Sequence, residues 1–215
     1  YYPQNERHNL KPRSPYGAAK ASARHIVKVY RESYNLYAIQ GLLYNHESER
    51  RGEEFVTRKI TKAVARIKNA LTKGINVIPL ELGNLDARRD WSHSLDFVDG
   101  IWKMLNQDIP KEYILAAGET HSIREFVELS FNHIGISGRW VTTDTDKPEL
   151  ETFIAQINNV LVTLVKINPE LYRLAEVDLL LGDASLAKGE LGWKPKINFK
   201  NLISRMVDND IQLLE

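Results

Sequence analysis

The sequence contains no cysteine, which rules out disulfides and thiolate metal sites. Its six histidines include no HExxH pair, and no metal site is expected. An excess of one charge is also missing. The net charge is +1 at pH 7, with both signs interspersed along the chain, whereas nucleic-acid binders concentrate basic residues on one face. A local cationic pocket for phosphates stays open. No apolar run reaches the roughly 18 residues of a membrane span, and no signal peptide opens the chain. A cytoplasmic setting fits these absences. Internal repeats and low-complexity tracts are lacking as well.

What is present suits a folded protein. The 215 residues are 43% hydrophobic and 27% charged, enough for one large domain or one domain with a small lobe. Residues 1–15 read as a proline-bearing loop, and 16–34 as a helix with Ala18, Ala19, Ile26, Val27 and Tyr30 at helical spacing. The apolar run 36–46 predicts a buried strand, 55–71 a helix ended by Lys73-Gly74, and 76–82 a second strand. A helix over 95–105 and a strand over 113–116 follow. Ser122 and Glu125 have the spacing of a capping box that opens another helix. Residues 137–150 read as loop with a short strand at 139–142, and 159–167 as a β-branched apolar segment. Two short helices, 184–191 and 199–213, close the chain. Strands alternating with helices predict an α/β fold with a mainly parallel sheet.

Tyr16 and Lys20 stand four apart at a helix start, so both side chains project from one face. An ammonium held beside a phenol favours its ionised form. That pair suits removal of a proton from a hydroxyl while hydride leaves the same carbon. The alternative is two surface residues that happen to share the spacing. Yet of nine tyrosines only Tyr16 has a lysine four positions later, and Ser14-Pro15 before it marks a helix start.

Four further groups carry candidate chemistry. Asn45 and His46 end a strand, where parallel α/β sheets place ligands, with Arg51 shortly after; a polar strand end and a solvated charge run would look alike. Val56 and Thr57 open a helix whose N–H groups can meet an anion, with Lys59 nearby, or the helix start is an ordinary one. Arg88 and Arg89 precede Asp90-Trp91; guanidinium groups suit phosphate oxygens, while a loop salt bridge would explain them equally. Arg173 and Glu176 offer an arginine for phosphate and a carboxylate for ribose hydroxyls. His93 and His121 precede helices, and His121 reads as a helix cap or a base contact.

The string RSPYGAAK around Tyr16 resembles the catalytic helix of the extended short-chain dehydrogenase/reductases, the superfamily of nucleotide-sugar epimerases and dehydratases. Four more strings narrow the resemblance: YNHESERRGEEFVTRKI (44–60), LGNLDARRDWSHSLDFVDGIW (82–102), GETHSIREFVE (118–128) and RLAEVDLLLGD (173–183). Together they closely resemble the GDP-mannose 4,6-dehydratase family, from about Lys11 to the C-terminus, most weakly over 137–168.

The resemblance implies the C-terminal part of a Rossmann-type doubly wound parallel sheet with a smaller substrate-binding lobe. Residues 1–46 would end the dinucleotide-binding domain, and 47–215 would be mainly the nucleotide-sugar lobe, with some elements returning to the Rossmann domain. It implies NADP as cofactor, GDP-mannose as substrate and assembly as a dimer or tetramer. Tyr16 and Lys20 would be catalytic and, with His46 and Arg51, cofactor-binding. Asn45, Val56, Lys59, Arg89, Arg173 and Glu176 would bind the nucleotide sugar. The chain departs from the family at Leu174 and Glu49, where proline is common.

Other expected parts are missing. No two glycines are separated by one residue, so a GxGxxG turn is absent. The serine or threonine and the glutamate that the family places before the tyrosine cannot be assigned, and Glu6 stands in the wrong context. The first residue is Tyr1 rather than Met. The expectation is therefore a fragment cut upstream of the catalytic helix. The alternatives are another nucleotide-sugar epimerase or dehydratase, and a truncated protein that binds nucleotide sugar without turnover.

Overall fold

The computed structural model describes residues 2–142, 150–172, 177 and 179–215. In chain order the helices are α1 (Pro15–Tyr34), α2 (Val56–Lys73), α3 (Ser94–Leu105), α4 (Ile123–His133), α5 (Ser185–Leu191) and α6 (Phe199–Gln212). The strands are β1 (Gln40–Leu43), β2 (Asn45–Glu47), β3 (Leu80–Leu82), β4 (Arg88–Arg89), β5 (Trp91–His93), β6 (Glu112–Leu115), β7 (His121–Ser122), β8 (Gly138–Thr142), β9 (Glu151–Ile157) and β10 (Val160–Ile167). The chain divides into two compact units. One comprises Tyr1–His46, Arg88–His121 and Ala175–Asn198; the other comprises Glu47–Ala87, Ser122–Leu174 and Phe199–Glu215.

In the first unit, β1 runs parallel to β6, from Gln40 opposite Glu112 to Leu43 opposite Leu115. The predicted strand over 36–46 is shorter than its apolar run. Tyr37 turns its hydroxyl to the carbonyls of Leu105 (3.0 Å) and Gln107 (2.6 Å), so residues 36–39 follow the end of α3 instead of a ladder. The core gathers Phe97, Met104, Tyr113, Leu115, Leu191 and Trp193. Trp193 is fully buried, and its indole N–H donates to the carbonyl of Asp96 at 2.7 Å. Gly100 lets α3 approach this closely, because a Cβ there would lie 2.5 Å from Leu115 Cδ1 and 2.9 Å from Trp193 Nε1.

Helix α1 behaves differently, with no buried residue. Ile26, Val29, Tyr30 and Tyr34 are at least half exposed. Its polar anchor is Arg24, which donates to both oxygens of Glu112 at 2.9 and 2.6 Å. Asn35 ends the helix in the left-handed region, φ 53°, which asparagine tolerates better than most residues.

In the second unit α2, α4 and α6 pack on one another. The buried stripe Phe199, Leu202, Ile203, Met206 and Val207 of α6 supplies much of the contact surface. Beside them lies a sheet in the order β3-β10-β9-β8. Its β3–β10 pair is parallel, whereas β10–β9 and β9–β8 are antiparallel. Strand β9 was not expected. The segment predicted as a strand over 76–82 is ordered as one only at Leu80–Leu82, with Ile75 and Ile78 left exposed. Residues 143–149 of the predicted loop lie outside the described residues. No helix among the described residues is long and apolar enough to cross a membrane.

Candidate functional site

Ser14 opens α1 by accepting the amide of Gly17 at 3.0 Å, and Pro15 takes the first helical position, where its missing N–H costs nothing. That start places Tyr16 and Lys20 one turn apart, with Lys20 Nζ 5.6 Å from the Tyr16 ring centroid. Tyr16 is 73% exposed. Neither the phenol nor the ammonium has a hydrogen-bond or ion-pair partner among the described residues. Both line a cleft of about 610 Å³ floored by Gln40–Leu43, with Tyr44 and His46 on its wall.

His46 Nδ1 lies 2.9 Å from the carbonyl of Tyr44 and donates to it, which leaves Nε2 for another partner. Its ring packs 4.9 Å from that of Phe97, which holds the orientation. Burial pushes the Tyr44 phenol well above its ordinary range, so it donates steadily to Gln4 at 2.7 Å and takes no part in proton exchange near neutrality. Asn45 starts β2 beside His46 but is not among the residues lining the cleft.

Arg51 belongs to the second unit. Its Nε sits 3.2 Å from Glu47, close enough for an ion pair but not aligned for a hydrogen bond, and its guanidinium lies 3.5 Å over the Phe55 ring. The two terminal nitrogens bond to no described residue, so they are held in place with donors to spare. Glu47 is 2% exposed and also accepts the Thr57 hydroxyl at 2.6 Å. Burial pushes its carboxyl up, against the pull of Thr57 and Arg51. Helix α2 then begins at Val56 with no side-chain cap, which leaves first-turn N–H groups pointing outward. Lys59 is exposed on that turn and pairs with no described carboxylate.

Arg88 donates to the carbonyl of Thr120 at 2.6 Å, and Arg89 to those of Val177 (2.5 Å) and Arg88 (2.9 Å). Asp90 has no exposed surface and accepts the amides of Ala117 (2.6 Å), Gly118 (3.0 Å) and Gly182 (3.2 Å). It ties three segments of the first unit together. Burial raises its carboxyl above the ordinary range, opposed by the three N–H groups. Arg173 and Glu176 lie outside the described residues. His93 caps α3 by accepting the Leu95 amide at 3.1 Å. His121 does not cap α4, a task that falls to Ser122 in a full capping box with Glu125.

Sequence reasoning missed the buried pair Arg58–Asp210. Its signal was present: Asp210 continues the apolar stripe of α6, three residues beyond Val207, and a charge there requires a partner.

The model of the family described as GDP-mannose 4,6 dehydratase matches residues 1–206. The chain belongs to the GDP-mannose 4,6-dehydratase family. It is 48% identical over 212 residues to GDP-mannose 4,6 dehydratase of Drosophila melanogaster, covering 99% of this chain and 51% of that one. To the protein of that name from Homo sapiens it is 44% identical, covering 99% and 54%. The chain thus spans about half the length of the curated relatives it matches. Among solved structures, RMD from Pseudomonas aeruginosa complexed with NADPH superposes with a TM-score of 0.76 over 98% of this chain and 60% of that one, at 19% identity. That likeness establishes a Rossmann-type α/β fold.

Proposed function

We propose that this chain is the part of an NADP-dependent GDP-mannose 4,6-dehydratase that carries the catalytic helix and the nucleotide-sugar lobe. The reaction converts GDP-D-mannose to GDP-4-dehydro-6-deoxy-D-mannose and water. One observation carries the reading: Tyr16 and Lys20, which hydrogen-bond to no described residue, line the same cleft as His46.

The residues fit a phosphorylated dinucleotide. Within the first unit they are the Lys20 ammonium and Nε2 of His46; Arg51, whose terminal nitrogens bond to no described residue, is proposed as a further donor. When bound, NADP would supply the hydride acceptor and donor for an internal redox cycle on the sugar, from C4 to C6, while the C5 proton and the C6 hydroxyl leave as water. Tyr16 takes the proton from the O4 hydroxyl, and the neighbouring Lys20 ammonium favours the phenolate that does so. Lys20 also donates to a ribose hydroxyl of the cofactor. The uncapped start of α2, with Val56 and Lys59, receives the anionic nucleotide of the substrate. Arg89 contacts the pyrophosphate, Asn45 meets the substrate, and Arg173 and Glu176 contribute phosphate and ribose contacts. In this reading the first unit belongs to the dinucleotide-binding domain and the second is mainly the nucleotide-sugar lobe. Assembly as a dimer or tetramer in the cytosol goes with it, supported by the exposed apolar stripe of α1.

The test uses the full-length gene product that contains this chain. It should convert GDP-mannose to a 4-keto sugar nucleotide; an epimerase would form none. Tyr16→Phe should keep GDP-mannose affinity while turnover falls by about 10² to 10⁴. Unchanged turnover would sink the assignment of Tyr16.

A further inference from the structure

Arg58 stands in the first turn of α2, and Asp210 in α6, 152 positions later. Their side chains are 9% and 1% exposed. Arg58 Nε reaches both carboxylate oxygens at 2.9 and 3.0 Å, and Nη2 reaches Oδ1 at 2.7 Å. The Thr61 hydroxyl adds a bond to Oδ2 at 2.6 Å. A buried ion pair pays a desolvation cost that apolar side chains of the same volume avoid, so stability alone is a weak reason for having one.

The remaining nitrogen of Arg58 supplies a better reason. Nη1 donates to the backbone carbonyls of Glu49 and of Arg51, the latter at 3.1 Å. These carbonyls belong to the loop between β2 and α2, whose own backbone bonds include Arg51 to Ser48 (3.0 Å) and Phe55 to Gly52 (3.2 Å). A second strut reaches the same loop from α6, where Arg205 Nε donates to Glu49 Oε1 at 2.8 Å. Helix α6 therefore bears on the loop twice, indirectly through Arg58 onto its backbone and directly through the Arg205 side chain. The Arg51 guanidinium springs from that backbone and is aimed by Glu47 and Phe55, with its terminal nitrogens bonding to no described residue.

We infer that the Arg58–Asp210 pair is a positioning device that holds Arg51 where it meets the cofactor, making α6 part of the cofactor site without touching the ligand. This rests on the reading above that Arg51 contacts NADP. A guanidinium aimed in advance loses less freedom on binding, so losing its support weakens binding without removing a contact.

Titration of NADPH fluorescence on the full-length gene product tests this with a double-mutant cycle of Arg51→Ala and Asp210→Asn. Each single change should raise the Kd about tenfold, the scale of one hydrogen bond to a charged group. The double variant should bind within about twofold of Arg51→Ala alone, because a positioning residue has nothing left to position. If Asp210→Asn weakens binding by the same factor in both backgrounds, or in neither, the inference is wrong while the contact of Arg51 stands. If Arg51→Ala leaves the Kd unchanged, the contact itself is wrong and the inference falls with it. Should Asp210→Asn fail to fold, Thr61→Val removes one hydrogen bond to the same carboxylate with little change of shape. It should raise the Kd about threefold, and only where Arg51 is present; an equal effect in both backgrounds, or none, overturns the inference.

Discussion

Replacing Asp90 by asparagine isolates what a buried carboxylate does that an amide of the same shape cannot. Oδ1 accepts from Ala117, while Oδ2 accepts from both Gly118 and Gly182. Asparagine has one acceptor oxygen. In its better orientation that oxygen replaces Oδ2 and keeps the two glycine amides, now as neutral bonds of about half the strength. The NH₂ group then faces the Ala117 amide, donor against donor. An unsatisfied donor of this kind costs about 1–3 kcal/mol, and the weakened pair adds about 1 kcal/mol, so the loss should total about 2–4 kcal/mol. Urea unfolding followed by tryptophan fluorescence measures the total. Amide hydrogen exchange localises it: Ala117 should lose more protection than Gly118 or Gly182. A loss below about 0.5 kcal/mol, or uniform protection at the three amides, would refute the view that charge and acceptor count hold these segments together.

Gly100→Ala should cost about 1–3 kcal/mol, because its Cβ would meet Leu115 Cδ1 at 2.5 Å inside a close-packed core; thermal melting reads the loss. Glu112→Gln tests an ion pair through pH. The hydrogen bonds from Arg24 hold the Glu112 carboxyl below its ordinary range, so its stabilisation is full above the unfolded value and is lost as pH falls through the folded one. Wild-type chain should therefore lose about 1 kcal/mol, allowing for solvent screening, as pH falls below the ordinary carboxylate range. The glutamine variant should show a flatter acid limb in denaturation at matched pH values.

Local signals in the sequence were legible where one residue decides the structure. Ser14-Pro15 and Asn35 bound α1, and Ser122 with Glu125 opens α4, because caps act within a turn. Strand β9 was harder to see. Yet the tight turn that joins it to β10 is marked by Asn158 and Asn159, both at positive φ (50° and 65°), a two-residue signature that favours antiparallel hairpins. The four-residue spacing of Tyr16 and Lys20 is a property of one helical turn, so it could be read directly. Arg58 and Asp210 meet only after α2 and α6 pack, and nothing local announces a partner 152 positions away. The apolar run 36–46 misled for a related reason: hydrophobicity predicts burial, but a hydroxyl bond from Tyr37 decides where the ladder begins.

The division into two units has a consequence for how such genes recombine. Six segments alternate between the units along the chain, so the backbone passes from one to the other five times. A single crossover within these residues therefore never exchanges one unit alone; it always mixes segments of different parentage inside at least one hydrophobic core. Chimeras should tolerate breakpoints according to how many packed pairs they split rather than where they fall in sequence. Neither unit can be obtained by trimming the chain from an end.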